Sequence, residues 1–160
     1  MTSTEIIAEA GVPQIIVLRE FDASPMALFR AHTEPDLLAR WLGPTSLTTT
    51  VEQLDPRHGG RWRYTQTDGS GVGHSFHGLF HGDPTPERIV QTYEFEDQPG
   101  PVYLNTITLE PRGRRTLLRQ NTVFQSVEDR DSYVRAGMEH GLRATMANLD
   151  ALLTTLATEG

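Results

Sequence analysis

The 160-residue sequence has no cysteine and no lysine. The first absence excludes disulfide bridges, thiolate nucleophiles and cysteine-ligated zinc. The second leaves arginine as the source of all 14 basic charges, set against 21 acidic residues for a net charge of −7. That balance disfavours nonspecific contact with nucleic acid, which is not expected as a partner. No run approaches the roughly 18 apolar residues of a membrane helix, so no membrane partner is expected either. The first eleven residues contain Glu5 and Glu9 and no basic start, which does not read as a secretory signal. A cytoplasmic protein is the default expectation.

Catalytic signatures are also missing. There is no Gly-x-Ser-x-Gly nucleophile elbow. Gly69, Gly71 and Gly73 join two β-patterned runs, so they read as a hairpin tip; a phosphate loop would have to open a helix. His74, His77 and His81 are close in sequence. On a strand, however, the first two point to opposite faces, and the last two lie about 13 Å apart. Zinc needs three or four ligands near 2.1 Å. No metal site and no cofactor is expected.

What is present is a strong C-terminal helix signal over residues 128–157. Ser126 is a good N-cap, and Glu128, Asp129 and Asp131 suit the positive end of a helix. Val134, Met138, Leu142, Met146, Leu149, Leu152, Leu153 and Leu156 fall on one face at about 100° per residue. Such a helix runs about 45 Å and needs a large apolar surface to lie on. Gly137, Gly141, Ala144 and Asn148 line one flank of the face, while Glu139, Arg143 and Asp150 fall opposite. Each interior glycine costs about 1 kcal/mol relative to alanine. The pair implies close backbone packing or a gap beside the helix.

The rest of the chain supplies the surface. Residues 1–13 read as a flexible tail, and 14–158 as one domain. A first strand covers 14–21. Ser24-Pro25 opens a short helix, and Thr33 with Asp36 suggests the cap of a second. Strand patterns follow at 46–54, 61–67, 74–82, 88–95, 102–110 and 115–124, separated by turn signals. Short turns between successive strands imply an antiparallel meander. The expected fold is α+β: a curved antiparallel sheet of about seven strands around the long C-terminal helix, with two short helices after the first strand. Trp62, Tyr64, Phe76, Phe80, Tyr93, Phe95 and Tyr103 recur over successive strands, as core or, for a subset, as pocket lining. Trp41 would stand at the mouth of a pocket. Gln91, Asn105 and Gln120 could orient a ligand if they point inward. A slip of one residue in strand phase would turn every inward assignment outward.

Three stretches resemble a known family. Arg19-Glu20-Phe21-Asp22-Ala23-Ser24-Pro25, running on to Ala39-Arg40-Trp41-Leu42-Gly43-Pro44, is similar to its opening strand and helix pair. Gly59-Gly60-Arg61-Trp62-Arg63-Tyr64, His77-Gly78-Leu79-Phe80 and Pro86-Glu87-Arg88-Ile89-Val90 are similar to its middle strands. Gly137-Met138-Glu139-His140-Gly141 is similar to its final helix. The family is the bacterial branch of the heat-shock chaperone ATPase activator homologue domains, in the START-like (SRPBCC) superfamily of helix-grip folds. The resemblance spans about residues 15–156. Leu42 and Leu142 stand where the family often has tryptophan, so a relative's ligand does not carry over. The resemblance implies a cavity between sheet and helix for a small hydrophobic or amphipathic ligand, lined by Trp41, Trp62, Tyr64, Phe76, Phe80, Tyr93, Tyr103, Gln120, Gly137 and Gly141. It leaves two other readings open. One is a polyketide cyclase-like enzyme using an inward polar pair such as His74 and Gln120. The other is a stress-response role with a chaperone ATPase as partner. A second copy of the chain remains a further possible partner.

Overall fold

Eight strands form one antiparallel sheet, and the alternation of large inward and small or charged outward side chains decides what lies against it. The computed structural model describes residues 3–159. The strands are β1 (Glu5–Ile7), β2 (Gln14–Phe21), β3 (Thr48–Leu54), β4 (Arg61–Thr67), β5 (Gly73–Leu79), β6 (Arg88–Phe95), β7 (Val102–Arg112) and β8 (Arg115–Val123). Across the sheet they run β1-β2-β8-β7-β6-β5-β4-β3. Helices α1 (Pro25–Thr33) and α2 (Pro35–Trp41) connect β2 to β3, and α3 (Val127–Arg135) and α4 (Met138–Glu159) follow β8. The sheet stays open, with β1 and β3 at its edges, and curves round α4, which is the expected helix-grip arrangement.

The strands lie where alternation puts them. Trp62 pairs with Gly78 and Tyr64 with Phe76 across β4 and β5, all on the concave face. A side chain at position 78 would collide with the Thr92 carbonyl and the Trp62 ring, so only glycine lets β6 and that indole approach so closely. Ser24 caps α1 by accepting from the Ala27 amide, and Ser126 caps α3 by accepting from the Asp129 amide at 3.0 Å. The expected cap at Thr33 does not form. Thr33 ends α1 and its hydroxyl donates back to the Phe29 carbonyl at 2.8 Å. Pro35 is the cause, because a residue before proline is driven to extended backbone. Glu34 therefore becomes the N-cap of α2, with φ −102° and ψ 123° and no side-chain cap bond.

Two further expectations are corrected. The first is the flexible tail over 1–13, of which residues 1 and 2 lie outside the described residues. Glu5–Ile7 pairs with Ile16–Leu18 of β2 and makes the eighth strand. Arginines from three elements secure this segment. Arg19 of β2 donates to the Thr4 hydroxyl at 3.0 Å, Arg130 of α3 to the Glu9 carbonyl at 2.8 Å, and Arg143 of α4 to the Thr4 carbonyl. Arg143 and Asp150 lie opposite the apolar face as expected, half exposed, and from there Arg143 reaches the clasp while Asp150 pairs with Arg19 at 3.4 Å.

The second correction concerns the C-terminal helix, which is two helices. Ala136 closes α3, and Gly137 turns the chain with φ +88° before α4 begins. The apolar repeat runs through the break, so periodicity alone suggested continuity. α4 is 22 residues long, about 33 Å. Its C-terminal half buries Leu149, Leu152 and Leu153 in one core with Phe21, Leu28, Leu109 and Leu118. The Asn148 amide donates to the Gly43 carbonyl at 2.8 Å and ties α4 to the end of α2.

Gly137 has open space where a Cβ would sit, so its requirement is conformational alone. Gly137→Ala is expected to destabilise the protein by about 1–2 kcal/mol, the cost of a left-handed alanine, as measured by urea unfolding.

Candidate functional site

Between the sheet and the N-terminal half of α4 lies a cavity of about 260 Å³. It exists because α4 presents Met138, Gly141, Leu142, Thr145 and Met146 there, while its leucine-rich second half packs into the core. Strands change character at the same level. On β7, Tyr103, Asn105 and Ile107 line the cavity, whereas Leu109 belongs only to the core. On β8, Gln120 and Thr122 line it and Leu118 does not.

Most of the residues expected around a ligand are brought together. Trp62 and Tyr64 enter from β4, and Phe76 and Phe80 from β5 and the segment beyond it. Tyr93, Tyr103 and Gln120 follow from the next three strands. Trp41 stands at the α2 end, and Gly141 faces the space from α4. Gln91 and Asn105, the other inward polar candidates, also line it. Gly137 does not: it serves the helix break and is absent from the lining, which corrects the flank expected there.

The aromatic rings form a continuous wall. Trp62 lies 4.4 Å from Tyr93 between centroids, Tyr93 stacks on Tyr103 at 5.2 Å, and Tyr103 meets Tyr133 of α3 at 5.7 Å. Tyr64 joins through Tyr93 at 6.1 Å. Burial pushes the Tyr64 and Tyr103 hydroxyls well above their ordinary range, and the nearby Tyr133 phenol adds to both shifts. Burial alone raises Tyr133. No hydrogen bond contributes to any of the three shifts. All three phenols therefore keep their protons near neutral pH.

Tyr133 and His32 are among the lining residues that escaped the sequence reading. Tyr133 sits in a polar helix turn, Val127–Arg135; a lone aromatic a few residues before a glycine was the available signal. His32 sits on α1 and is buried. Its Nδ1 lies 2.7 Å from the Leu28 carbonyl, so Nδ1 carries the proton and donates. Its ring meets Trp41 edge-on at 4.8 Å, and the Trp41 indole donates to the Ala31 carbonyl at 2.9 Å. Burial outweighs the carbonyl contact and lowers the His32 pKa from 6.5 to about 4. His32 Nε2 and Trp62 Nε1 are buried with no protein partner.

Formal charge is kept out of the cavity. Among the described residues the lining contains no Asp or Glu. Arg63 borders it, but its guanidinium grips Glu96 at 2.8 and 2.9 Å and Glu52 at 2.6 Å on the other face of the sheet. That guanidinium, with His77 beside it, holds the Glu96 carboxyl down at about 2. His74 is exposed, bonded to Asp97 at 2.6 Å, and lies outside the lining, so the His74–Gln120 pair is not assembled.

Comparison with known proteins gives the fold a family. A family profile described as "Activator of Hsp90 ATPase homolog 1-like protein" matches residues 22–154, and the chain belongs to that family. No curated protein matches. A solution structure of a protein from Arthrobacter aurescens aligns over 94% of this chain and 91% of its own, with TM-score 0.87 and 25% identity. Ms6760 from Mycobacterium smegmatis aligns over 94% and 96%, with TM-score 0.85 and 23% identity. An AHSA1 protein from Silicibacter pomeroyi aligns over 92% and 99%, with TM-score 0.74 and 24% identity. None of the described helices is long and apolar enough to cross a membrane.

His32 makes stability depend on pH. Between pH 6.5 and about 4 the unfolded chain binds a proton that the folded chain refuses, so stability falls as pH drops through that window. A loss on the order of 3 kcal/mol follows from a shift of that size. Urea unfolding at pH 7, 5.5 and 4 is expected to show it, and His32→Phe is expected to flatten that part of the profile. The Glu96 contribution lies lower: it is present above its unfolded pKa of 4.5 and is lost as pH falls toward about 2.

Proposed function

We propose that this member of the family binds a small hydrophobic or amphipathic molecule in the cavity beneath α4. The observation that carries the reading is Gly141. A Cβ at that position would meet nothing within 4 Å. Alanine there would favour the helix by about 1 kcal/mol and help fill a void at the same time. Glycine instead leaves room beside an aromatic wall. The volume of about 260 Å³ lies just below the usual range for small-molecule pockets, about 300–1,000 Å³, which suits a compact ring system. Apolar walls with a few convergent polar groups are the usual make-up of small-molecule sites.

Acid–base catalysis of the cyclase kind has less support. It needs a titratable group within reach of the substrate. The lining offers a histidine held neutral, three phenols that keep their protons and no carboxylate. The family description favours a second reading, contact with a chaperone ATPase. Stimulation of such an ATPase by this chain at tens of micromolar would support it, and no stimulation would remove it.

The binding reading is tested with N-phenyl-1-naphthylamine, a neutral dye that brightens in apolar sites. Saturable binding is expected, with Trp41 and Trp62 emission changing in step, because both tryptophans of the chain line the cavity. Gly141→Leu fills the space and is expected to weaken dye binding by about tenfold or more, while Gly141→Ala keeps the fold and binds nearly as well. Equal affinity of wild type and a folded Gly141→Leu protein would place the site elsewhere.

A further inference from the structure

We infer that the occupant of the cavity is uncharged and carries a hydrogen-bond-accepting group, such as a ketone, quinone or ester carbonyl, received by the hydroxyls of Tyr64, Tyr103 and Tyr133 at the α3 end. The inference rests on the cavity reading above and says what chemistry the cavity selects.

Charge gives the first half of the argument. The chain carries 21 acidic residues, yet among the described residues none lines the cavity. The bordering arginine is neutralised by two carboxylates outside it. A carboxylate, phosphate or ammonium entering here would lose its water and meet no counterion, a penalty that apolar contact does not offset. The apolar wall accordingly suits a neutral body.

The phenols give the second half. They come from three separate elements, β4, β7 and α3; Tyr64 and Tyr103 connect through Tyr93, and Tyr133 joins through Tyr103. Phenylalanine would fill the same volumes with no polar atom to desolvate. The three hydroxyls instead remain free of protein hydrogen bonds. They are also not among the buried side-chain polar atoms that lack a hydrogen-bond partner, which among the described residues are Arg19 Nε, His32 Nε2, Trp62 Nε1 and Asn121 Oδ1. They therefore open onto the cavity. The amide oxygen of Asn105, also on the cavity wall, accepts from the Thr122 hydroxyl at 3.1 Å and not from a phenol. Protonated phenols facing an empty space are donors awaiting an acceptor.

Three naphthalenes of matched shape test this by isothermal titration calorimetry at pH 7.5: 2-acetonaphthone, 2-ethylnaphthalene and 2-naphthoate. The ketone is expected to bind about tenfold more tightly than the hydrocarbon, and the carboxylate to show no binding at millimolar concentration. In Tyr103→Phe/Tyr133→Phe, with its fold verified by thermal melting, the ketone-to-hydrocarbon ratio is expected to fall close to one. Tyr64→Phe serves as the alternative should the double variant fail to fold. Carboxylate binding as tight as the ketone's would overturn the charge selection. A ketone preference that survives removal of the phenols, or no preference in the wild type, would overturn their assignment while leaving the cavity reading intact. Failure of all three probes and of the neutral dye would overturn both.

Discussion

A curved sheet offers more concave surface than one helix can cover, and the fold depends on where that shortfall is placed. The contact that settles it is the packing of Leu149, Leu152 and Leu153 into the core shared by Phe21, Leu28, Leu109 and Leu118. It grips α4 at its C-terminal half. The other half must then bridge the rest of the concavity with Met138, Gly141 and Leu142. A longer apolar stripe of leucines would close the hollow. Glycine at 141 and the helix break at 137 keep it open and bring the Tyr133 ring of α3 to one end of it.

Electrostatics follow the same division. Strand alternation assigns Trp62 and Tyr64 to the inside and Arg63 to the outside, so the side chain between two wall residues anchors a surface network with Glu52, Glu96 and His77. The sheet thus separates an ionic face from an uncharged one across a single layer of backbone. Inside, the neutral His32, the raised phenols and the amides of Asn105 and Gln120 supply polarity without formal charge. Ion pairs on the far face are screened by water and contribute little to stability. Their arrangement bears more on what the interior can accept.

The sequence made much of this legible, because period-two alternation on β4 and β5 and period-3.6 spacing on α4 are strong signals. They group the aromatics of β4 and β5 by face, and leave open which face lines the cavity. What escaped reading depended on backbone groups. β1 is only three residues, too short for a pattern, and is held by arginines whose acceptors include main-chain carbonyls. The break at Gly137 is a matter of φ sign, and the repeat Val134–Met138–Leu142 runs straight through it. His32 looks like an ordinary helix residue until the Leu28 carbonyl and the Trp41 ring are seen around it. Thr33 followed a valid capping rule that the proline two positions later overrides.

The clasp on the first strand has a practical side. Thr4 and Glu9 are held by guanidinium groups from β2, α3 and α4, and Arg19 and Arg130 are themselves well shielded from water. Trimming the chain back to Val12 to obtain a tidier protein would therefore strip acceptors from three arginines at once. An affinity handle belongs after α4, away from this clasp.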